Sequence, residues 1–198
     1  DRLTRRDWAS PDAALTADHS GAVAAPASSA ARSLAAAHLR RGAADSVALP
    51  SSTLADAVAG DGPDPLAIAG RLGLPPMLVL RRLATLPDLD AGLVVCDGSG
   101  TLAFRTPAPG FPLPRFGAAC PLWPLYTALG RPLQPVEAVI AIAGEGARTF
   151  RAVAWCDVNH PAGPRGPELR EAAMLILPVR SAATEALKMG SIGRVCPK

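Results

Sequence analysis

The spacing of apolar residues along the chain changes near residue 87. Before it, apolar positions recur every three to four residues in short blocks, each opened by a helix-start residue, and the first three blocks are closed by a glycine. These blocks predict helices over 34–41, 51–58 and 66–72, and a fourth that begins at Pro75–Pro76. Gly42 is expected to end the first helix. In the fourth, Val79, Leu80 and Leu83 share an apolar face, so Arg81 and Arg82 are expected to point away from the core.

After residue 87 the apolar pattern alternates with a period close to two. It predicts one hairpin from strands at 93–96 and 101–105, and a second from strands at 136–143 and 149–157. It also predicts a short helix at 121–129 and a buried strand at 172–179. The tail beyond these segments has no strong pattern. Helices followed by hairpins predict an α+β fold, with an N-terminal helical segment and then a mostly antiparallel sheet carrying short helices.

Three parts of the chain follow from this pattern. Residues 1–32 contain the small, uncharged run AVAAPASSAA and are expected to form a linker or a poorly packed arm. Residues 33–87 form the helical segment, and residues 88–198 form the α+β domain. The chain begins at Asp1 rather than Met, so we expect it to be a piece of a longer protein.

Composition narrows the class of protein. Hydrophobic residues make up 49% of the 198 residues and aromatic residues only 4%, so the core must be built from small aliphatic side chains. The net charge of +3 is too small to indicate nucleic-acid binding by itself. The apolar runs all fall short of the roughly 18 residues that a transmembrane helix needs, so we expect no membrane span.

None of the four cysteines forms a CxxC pair, and nothing in their placement resembles a secreted disulfide framework. Reduced thiols and a cytoplasmic location are therefore expected. Cys96 and Cys156 lie in apolar strand patterns and are expected to be core residues. Cys120 precedes Pro121 at the predicted start of a helix, where the helix dipole would favour a thiolate, but a structural role for Cys120 is the favoured alternative.

Other motifs that carry chemistry are weak. Residues 67–83 have the outline of a helix-turn-helix, but the second helix opens with Pro75, Pro76, Met77 and Leu78, which cannot donate hydrogen bonds to base edges. The three histidines have neither HExxH nor HxH spacing. The glycine-rich turns lie between predicted strands, not between a strand and a helix as in a phosphate-binding loop.

The richest local signature is RFGAACPLW at 115–123. It brings together a cation, a cysteine and two of the scarce aromatic residues: Arg115, Cys120, Phe116 and Trp123. Two interpretations stay open. The aromatic residues either anchor a small core or wall a pocket in which Arg115 reaches an anionic group.

The run RFGAACPLWPLY resembles the RFGGACPLW-type signature of the C-terminal sensory domain of short-chain fatty acyl-CoA regulators, which are bacterial transcription factors of the XRE type. Residues 67–86 resemble the stretch that ends the ImmA/IrrE-like middle domain of that family. Two departures concern cysteines. Gly193 stands where the family's tail has its first cysteine, and Leu177–Val179 replaces a Gly-Cys-Asp, so the family's cysteine cluster is incomplete in this chain.

The resemblance implies a regulatory domain and not an enzyme. It implies binding of a short-chain acyl-CoA effector, control of carboxylate-metabolism genes, no bound metal and no further cofactor. The expected ligand-binding residues are Arg115, Phe116, Cys120, Trp123 and Arg131, with Arg148 and Arg151 as further phosphate ligands. The partners implied are a second copy of the chain, and DNA through an N-terminal helix-turn-helix domain that is absent from this sequence.

Three alternatives come from other classes of protein. A structural or dimerisation domain requires no ligand. A redox or metal sensor requires that at least three of the cysteines converge. A thioester-cleaving enzyme would use Cys120 as nucleophile with His160 as base.

Overall fold

The structure is a computed structural model that describes residues 28–113, 120–142, 148–179 and 193–196. Its helices are α1 (Ser29–Ala48), α2 (Ser51–Asp61), α3 (Pro65–Leu72), α4 (Pro76–Leu83) and α5 (Pro124–Leu129). Its strands are β1 (Gly92–Asp97), β2 (Leu102–Thr106), β3 (Val136–Ile142), β4 (Arg148–Asn159), β5 (Leu169–Pro178) and β6 (Gly193–Cys196). The predicted α+β class is confirmed. The predicted arm lies almost wholly outside the described residues, which begin at Ser28.

Helix α3 forms where the sequence predicts it, because local residues mark both its start and its end. The Asp64 carboxylate accepts hydrogen bonds from the backbone N–H groups of Leu66 and Ala67, both at 3.0 Å. Pro65 occupies the first helical position, and Gly73 ends the helix in the left-handed conformation with φ of 63°.

Helix α1 is longer than predicted at both ends. It begins at Ser29 and continues through Gly42 to Ala48, so the predicted stop at Gly42 is wrong. A Cβ atom at Gly42 would meet no other atom within 4 Å. A glycine inside a helix costs only about 1 kcal/mol relative to alanine, and the surrounding helix outweighs that cost.

Helix α4 corrects the prediction for its arginines. Val79, Leu80 and Leu83 are buried as expected, but Arg82 is also buried, with only 4% of its surface exposed. Its guanidinium donates to the Leu49 carbonyl at 2.9 Å and to the Ser51 hydroxyl at 2.9 Å. Arg82 therefore joins α4 to the junction between α1 and α2.

The strands form one sheet in the order β2-β1-β5-β4-β3-β6. Both predicted hairpins are present, and the pairings among β1 to β5 are all antiparallel. The tail strand β6 pairs in parallel with β3 and was missed by the sequence pattern. The expectation of a mostly antiparallel sheet is thus confirmed.

Both faces of the sheet are buried at the central strands β1 and β5. Along β5, Ala173, Leu175 and Leu177 pack with helices α2–α4, whereas Ala172, Met174 and Ile176 pack with α5 and the segment before it. This placement explains the uninterrupted apolar run at 172–177, which lacks the alternation of a half-exposed strand. In the part of the chain that the structure describes, no helix is long and apolar enough to cross a membrane.

Candidate functional site

Trp123 lies in the core beneath the sheet. It precedes the first residue of α5, and its backbone N–H donates to the Cys120 carbonyl at 3.0 Å. Its side chain is 1% exposed and its ring lies 5.4 Å from that of Phe111, which in turn meets Phe150 edge-on at 5.1 Å. Trp123 is therefore a packed core residue, as the first of the two interpretations expects.

The indole nitrogen of Trp123 is unusual within this core. Nε1 is fully buried, and among the described residues it has no hydrogen-bond partner. Leaving a buried donor unsatisfied costs about 1–3 kcal/mol. A carbonyl oxygen delivered by a ligand would remove that penalty.

Cys120 is half-buried and packs against the same core. Helix α5 begins at Pro124, four residues after Cys120, so the predicted helix start at 121 is wrong. The argument for a dipole-stabilised thiolate at Cys120 depended on that start and therefore fails, since the helix dipole acts within the first turn.

The remaining predicted ligand residues are not gathered beside Trp123 in the described structure. Arg131 is exposed and lies beyond the other end of α5, a helix about 9 Å long. Arg115 and Phe116 lie outside the described residues.

Arg148 and Arg151, the further phosphate candidates, both have other contacts. Arg151 Nη2 donates to the Asp64 carboxylate at 2.7 Å and to Glu137 at 2.9 Å, which joins α3, β4 and β3. The Arg148 guanidinium lies over Gly110, where φ is +80° and a Cβ atom would come within 1.8 Å of Nη1. Arg151 is thus committed to two carboxylates and is a poor phosphate ligand.

A cavity that the sequence did not indicate lies between the helices and the first hairpin. We call it the seam cavity, and its volume is about 40 Å³. It is lined by His38, Arg41, Gly42, Asp45, Arg81, Arg82, Ala84, Thr85, Leu93, Phe104 and Thr106. The His38 ring stacks on Phe104 with the centroids 4.0 Å apart.

The charges of the seam cavity are held in fixed positions. Arg81 makes a bidentate pair with Asp45, with Nε and Nη2 donating to the two carboxylate oxygens at 2.6 and 2.9 Å. Arg82 also donates to the hydroxyls of Ser46 at 3.0 Å and Thr85 at 3.2 Å. These residues come from α1, α4 and the turn after it, so their convergence is visible only in the fold.

A second concave site, at one end of the sheet, has the opposite charge. We call it the acidic cleft, and its volume is about 570 Å³. Four carboxylates and two guanidiniums line it: Asp97, Asp157, Glu168, Glu171, Arg41 and Arg170. This excess of negative charge disfavours the phosphates of coenzyme A, despite the size of the cleft.

Cys96 and Cys156 are buried, as predicted. Burial raises the pKa of Cys96 to about 11 and also raises the pKa of Cys156. Both pair with Ala172 of the strand between them, so their Cα atoms are about 9.5 Å apart, beyond the reach of a disulfide. Within the described ranges, no group of three histidines, cysteines or carboxylates is placed to hold a metal ion.

Comparisons with known proteins identify the class of the domain. A family model described as "Short-chain fatty acyl coenzyme A regulator, C-terminal" matches residues 89–197. A solved structure of a Mycobacterium tuberculosis transcriptional regulator is similar, with a TM-score of 0.65 and 23% identity over 85% of this chain. The chain spans 55% of the length of that regulator. No curated protein matches the chain.

These findings confirm the resemblance drawn from residues 115–126. The family that matches is one of regulators, which supports a regulatory domain and not a thioester-cleaving enzyme. The solved structure, at 23% identity, is a likeness of fold.

Proposed function

The chain belongs to the family of short-chain fatty acyl-coenzyme A regulators, and on that premise we propose that it is the effector-sensing part of a bacterial transcriptional regulator of carboxylate metabolism. Its effector is a short-chain acyl-CoA. The regulator acts in the cytoplasm as a homodimer of the XRE family and reads DNA through an N-terminal helix-turn-helix domain outside this chain.

The observation that carries the ligand assignment is the buried indole N–H of Trp123. A thioester ligand brings a carbonyl oxygen into an apolar slot, and it needs one donor there to replace the water that it loses. Trp123 Nε1 is such a donor, buried and without a partner among the described residues. Bound acyl-CoA therefore gives a hydrogen-bond partner to the Trp123 N–H and to the thioester carbonyl at once.

The proposal gives the other predicted ligand residues two roles. Phe116 and Cys120 wall the acyl end, where each methylene changes the affinity by about 1–3 kcal/mol. Arg115 and Arg131 bind the phosphates, because a guanidinium fork matches the geometry of phosphate oxygens.

The effector's signal passes to the helical segment 33–87, which we assign to the end of an ImmA/IrrE-like middle domain; the sensing domain then occupies 88–198. The Arg151–Asp64 bond of 2.7 Å links β4 to the start of α3, so a shift of β4 reaches the helices directly. Ligand binding controls this connection only if it favours one helix–sheet arrangement over another.

The test compares the wild type with Trp123→Phe, and with a control variant at Trp155, by calorimetric titration with propionyl-CoA. Trp123→Phe keeps a ring in the core and removes the N–H, whereas Trp123→Ala would cost about 3–5 kcal/mol of stability and confuse the result. We expect Trp123→Phe to bind about tenfold more weakly and to be at least as stable as the wild type without ligand.

The matched control is Trp155→Phe. Trp155 Nε1 already donates to Asp157 at 2.6 Å, and its side chain packs with the helical segment on the opposite face of the sheet. This variant should keep the wild-type affinity. Equal affinities in all three proteins would contradict the role of Trp123.

The burial of Trp123 also favours a second candidate function, in which this side chain is only a core anchor of a structural or dimerisation domain. That function predicts no acyl-CoA binding by the wild type at all. The same titration therefore distinguishes the two candidates.

A further inference from the structure

The buried indole N–H of Trp123 belongs to a group of three aromatic rings in contact. Phe111 touches both of the others: its ring lies 5.4 Å from the ring of Trp123 and meets Phe150 edge-on at 5.1 Å. Centroid separations of roughly 4.5–7 Å are direct ring contacts. Phe111 therefore lies against the ring that carries the buried N–H without a partner among the described residues.

The Phe111 ring is backed by rigid structure. Phe150, which it meets edge-on, is 1% exposed and lies in β4, between β3 and β5 in the sheet. The chain at Phe111 is held by a β-turn, in which its backbone N–H donates to the Ala108 carbonyl at 3.1 Å. Pro109 and Gly110 occupy the two central positions, and the φ of +80° at Gly110 is typical of a type II turn. The ring therefore has little room to retreat from a ligand.

Arg148 holds this turn from outside. Its guanidinium lies so close to Gly110 that a Cβ atom there would come within 1.8 Å of Nη1. Arg148 is also part of β4, two residues before Phe150. One strand thus supplies both the ring behind Phe111 and the side chain that covers its turn.

A thioester whose carbonyl accepts from Trp123 Nε1 brings its acyl chain to these rings. The carbonyl oxygen then lies about 3 Å from Nε1, and the acyl chain begins at the same carbonyl carbon. The Trp123 side chain is only 1% exposed, and protein interiors are closely packed. Each added methylene therefore needs space that a neighbouring side chain must give up, and Phe111 is held in place by Phe150 and by its turn.

We propose that Phe111 sets the longest acyl chain that the Trp123 site accepts. The inference rests on the proposed function, because it requires a thioester carbonyl bound to the Trp123 N–H. Short acyl chains fit between that carbonyl and the Phe111 ring, whereas longer chains meet the ring and bind weakly. Phe111 lies outside the signature at 115–123, so only the fold brings it to Trp123.

The experiment is a calorimetric titration of the full chain with free coenzyme A and with its acetyl, propionyl and hexanoyl thioesters. Leucine is smaller than phenylalanine, so Phe111→Leu opens the space that the ring occupies. Each methylene that a pocket accommodates changes the affinity by about 10–200-fold. We therefore expect Phe111→Leu to bind hexanoyl-CoA at least about tenfold more tightly than the wild type does. Free coenzyme A has no acyl chain and should bind both proteins equally.

The matched control is Phe104→Leu. Phe104 is half-buried and stacks on His38, but it packs on the face of the sheet opposite to Phe111. This variant should keep the wild-type affinity for all four ligands. Phe111→Met is the second variant, for use if Phe111→Leu does not fold. Methionine keeps most of the volume in a flexible side chain that yields to a ligand, so it should also favour hexanoyl-CoA.

The outcomes separate this inference from the proposed function. A wild type that binds no thioester overturns both. If the wild type binds thioesters but the Phe111 variants rank the acyl lengths as it does, only the role of Phe111 is overturned. Equal weakening of all four ligands in these variants would show that the ring only supports the core, and would overturn that role as well. A gain for hexanoyl-CoA that is confined to the Phe111 variants supports it.

Discussion

Replacing the buried Arg82 by methionine tests the connection between α4 and the α1–α2 junction. Methionine fills most of the same space but donates no hydrogen bonds. The Leu49 carbonyl, on a residue only 1% exposed, then loses its 2.9 Å guanidinium donor. A buried acceptor left unsatisfied costs about 1–3 kcal/mol.

The other partners of Arg82 add to this cost. Its guanidinium also bonds the hydroxyls of Ser46, Thr85 and Ser51, which can turn towards other partners and so lose about 0.5 kcal/mol each. Removing a buried charge returns part of this free energy, because the guanidinium is no longer desolvated. We expect Arg82→Met to lower the free energy of unfolding by about 2–4 kcal/mol.

Urea denaturation followed by circular dichroism measures this difference, provided that the slope against urea stays unchanged. Arg71→Met is the matched control, because Arg71 makes an exposed ion pair with Asp61 at 2.5 Å and should cost less than about 1 kcal/mol. If the two variants are equally stable, the Arg82 hydrogen bonds do not hold the helices together and the reasoning is refuted.

Two further predictions concern titratable groups. Cys96 and Cys156 should resist iodoacetamide at pH 8 in the folded protein and react in urea, because burial raises the pKa of both thiols. Mass spectrometry of the alkylated peptides measures the rate of each reaction. A folded-state rate equal to that of an exposed thiol, for either cysteine, would contradict the prediction. Burial, with Arg41 and Arg81 adding to it and Glu171 opposing them, lowers the pKa of His38 below its usual 6.5. As the pH falls, the unfolded chain therefore protonates His38 at a higher pH than the folded protein does. The stability that neutral His38 contributes is present above pH 6.5 and is lost as the pH falls below it. The slope of stability against pH between about 7 and 5 should be smaller in His38→Gln; an identical slope would show that His38 does not contribute.

Local signals made the helix α3 and the hairpin of β1 and β2 predictable. Asp64, Pro65 and Gly73 mark the ends of α3 within ten residues, and the turn at 98–100 separates two alternating runs. The prediction that Gly42 ends α1 is wrong, because a glycine ends a helix only where the chain beyond it makes better contacts outside the helix. The four residues of β6 are too few to show a period, and their parallel pairing with β3 depends on a distant part of the chain.

In the candidate sites too, local signals are visible in the sequence and contacts between distant residues are not. The scarcity of aromatic residues marks Trp123 as a candidate, but its burial depends on Phe111 and Phe150, which the sequence does not place beside it. The sequence pattern places Arg82 in solvent, because three of its partners lie more than 30 residues away, in α1, in α2 and at the junction between them. The seam cavity combines side chains from four elements, so the order of the residues gave no sign of it.

Acyl-CoA binding is the central claim, and thermal unfolding with a panel of ligands tests it most directly. The panel holds free coenzyme A and its acetyl, propionyl, butyryl and succinyl thioesters. A ligand at 100 times its dissociation constant stabilises the folded state by about 2.7 kcal/mol, so the melting temperature should rise by several degrees and the rise should depend on the acyl length. No rise with any thioester, or an equal rise with free coenzyme A, would contradict the account.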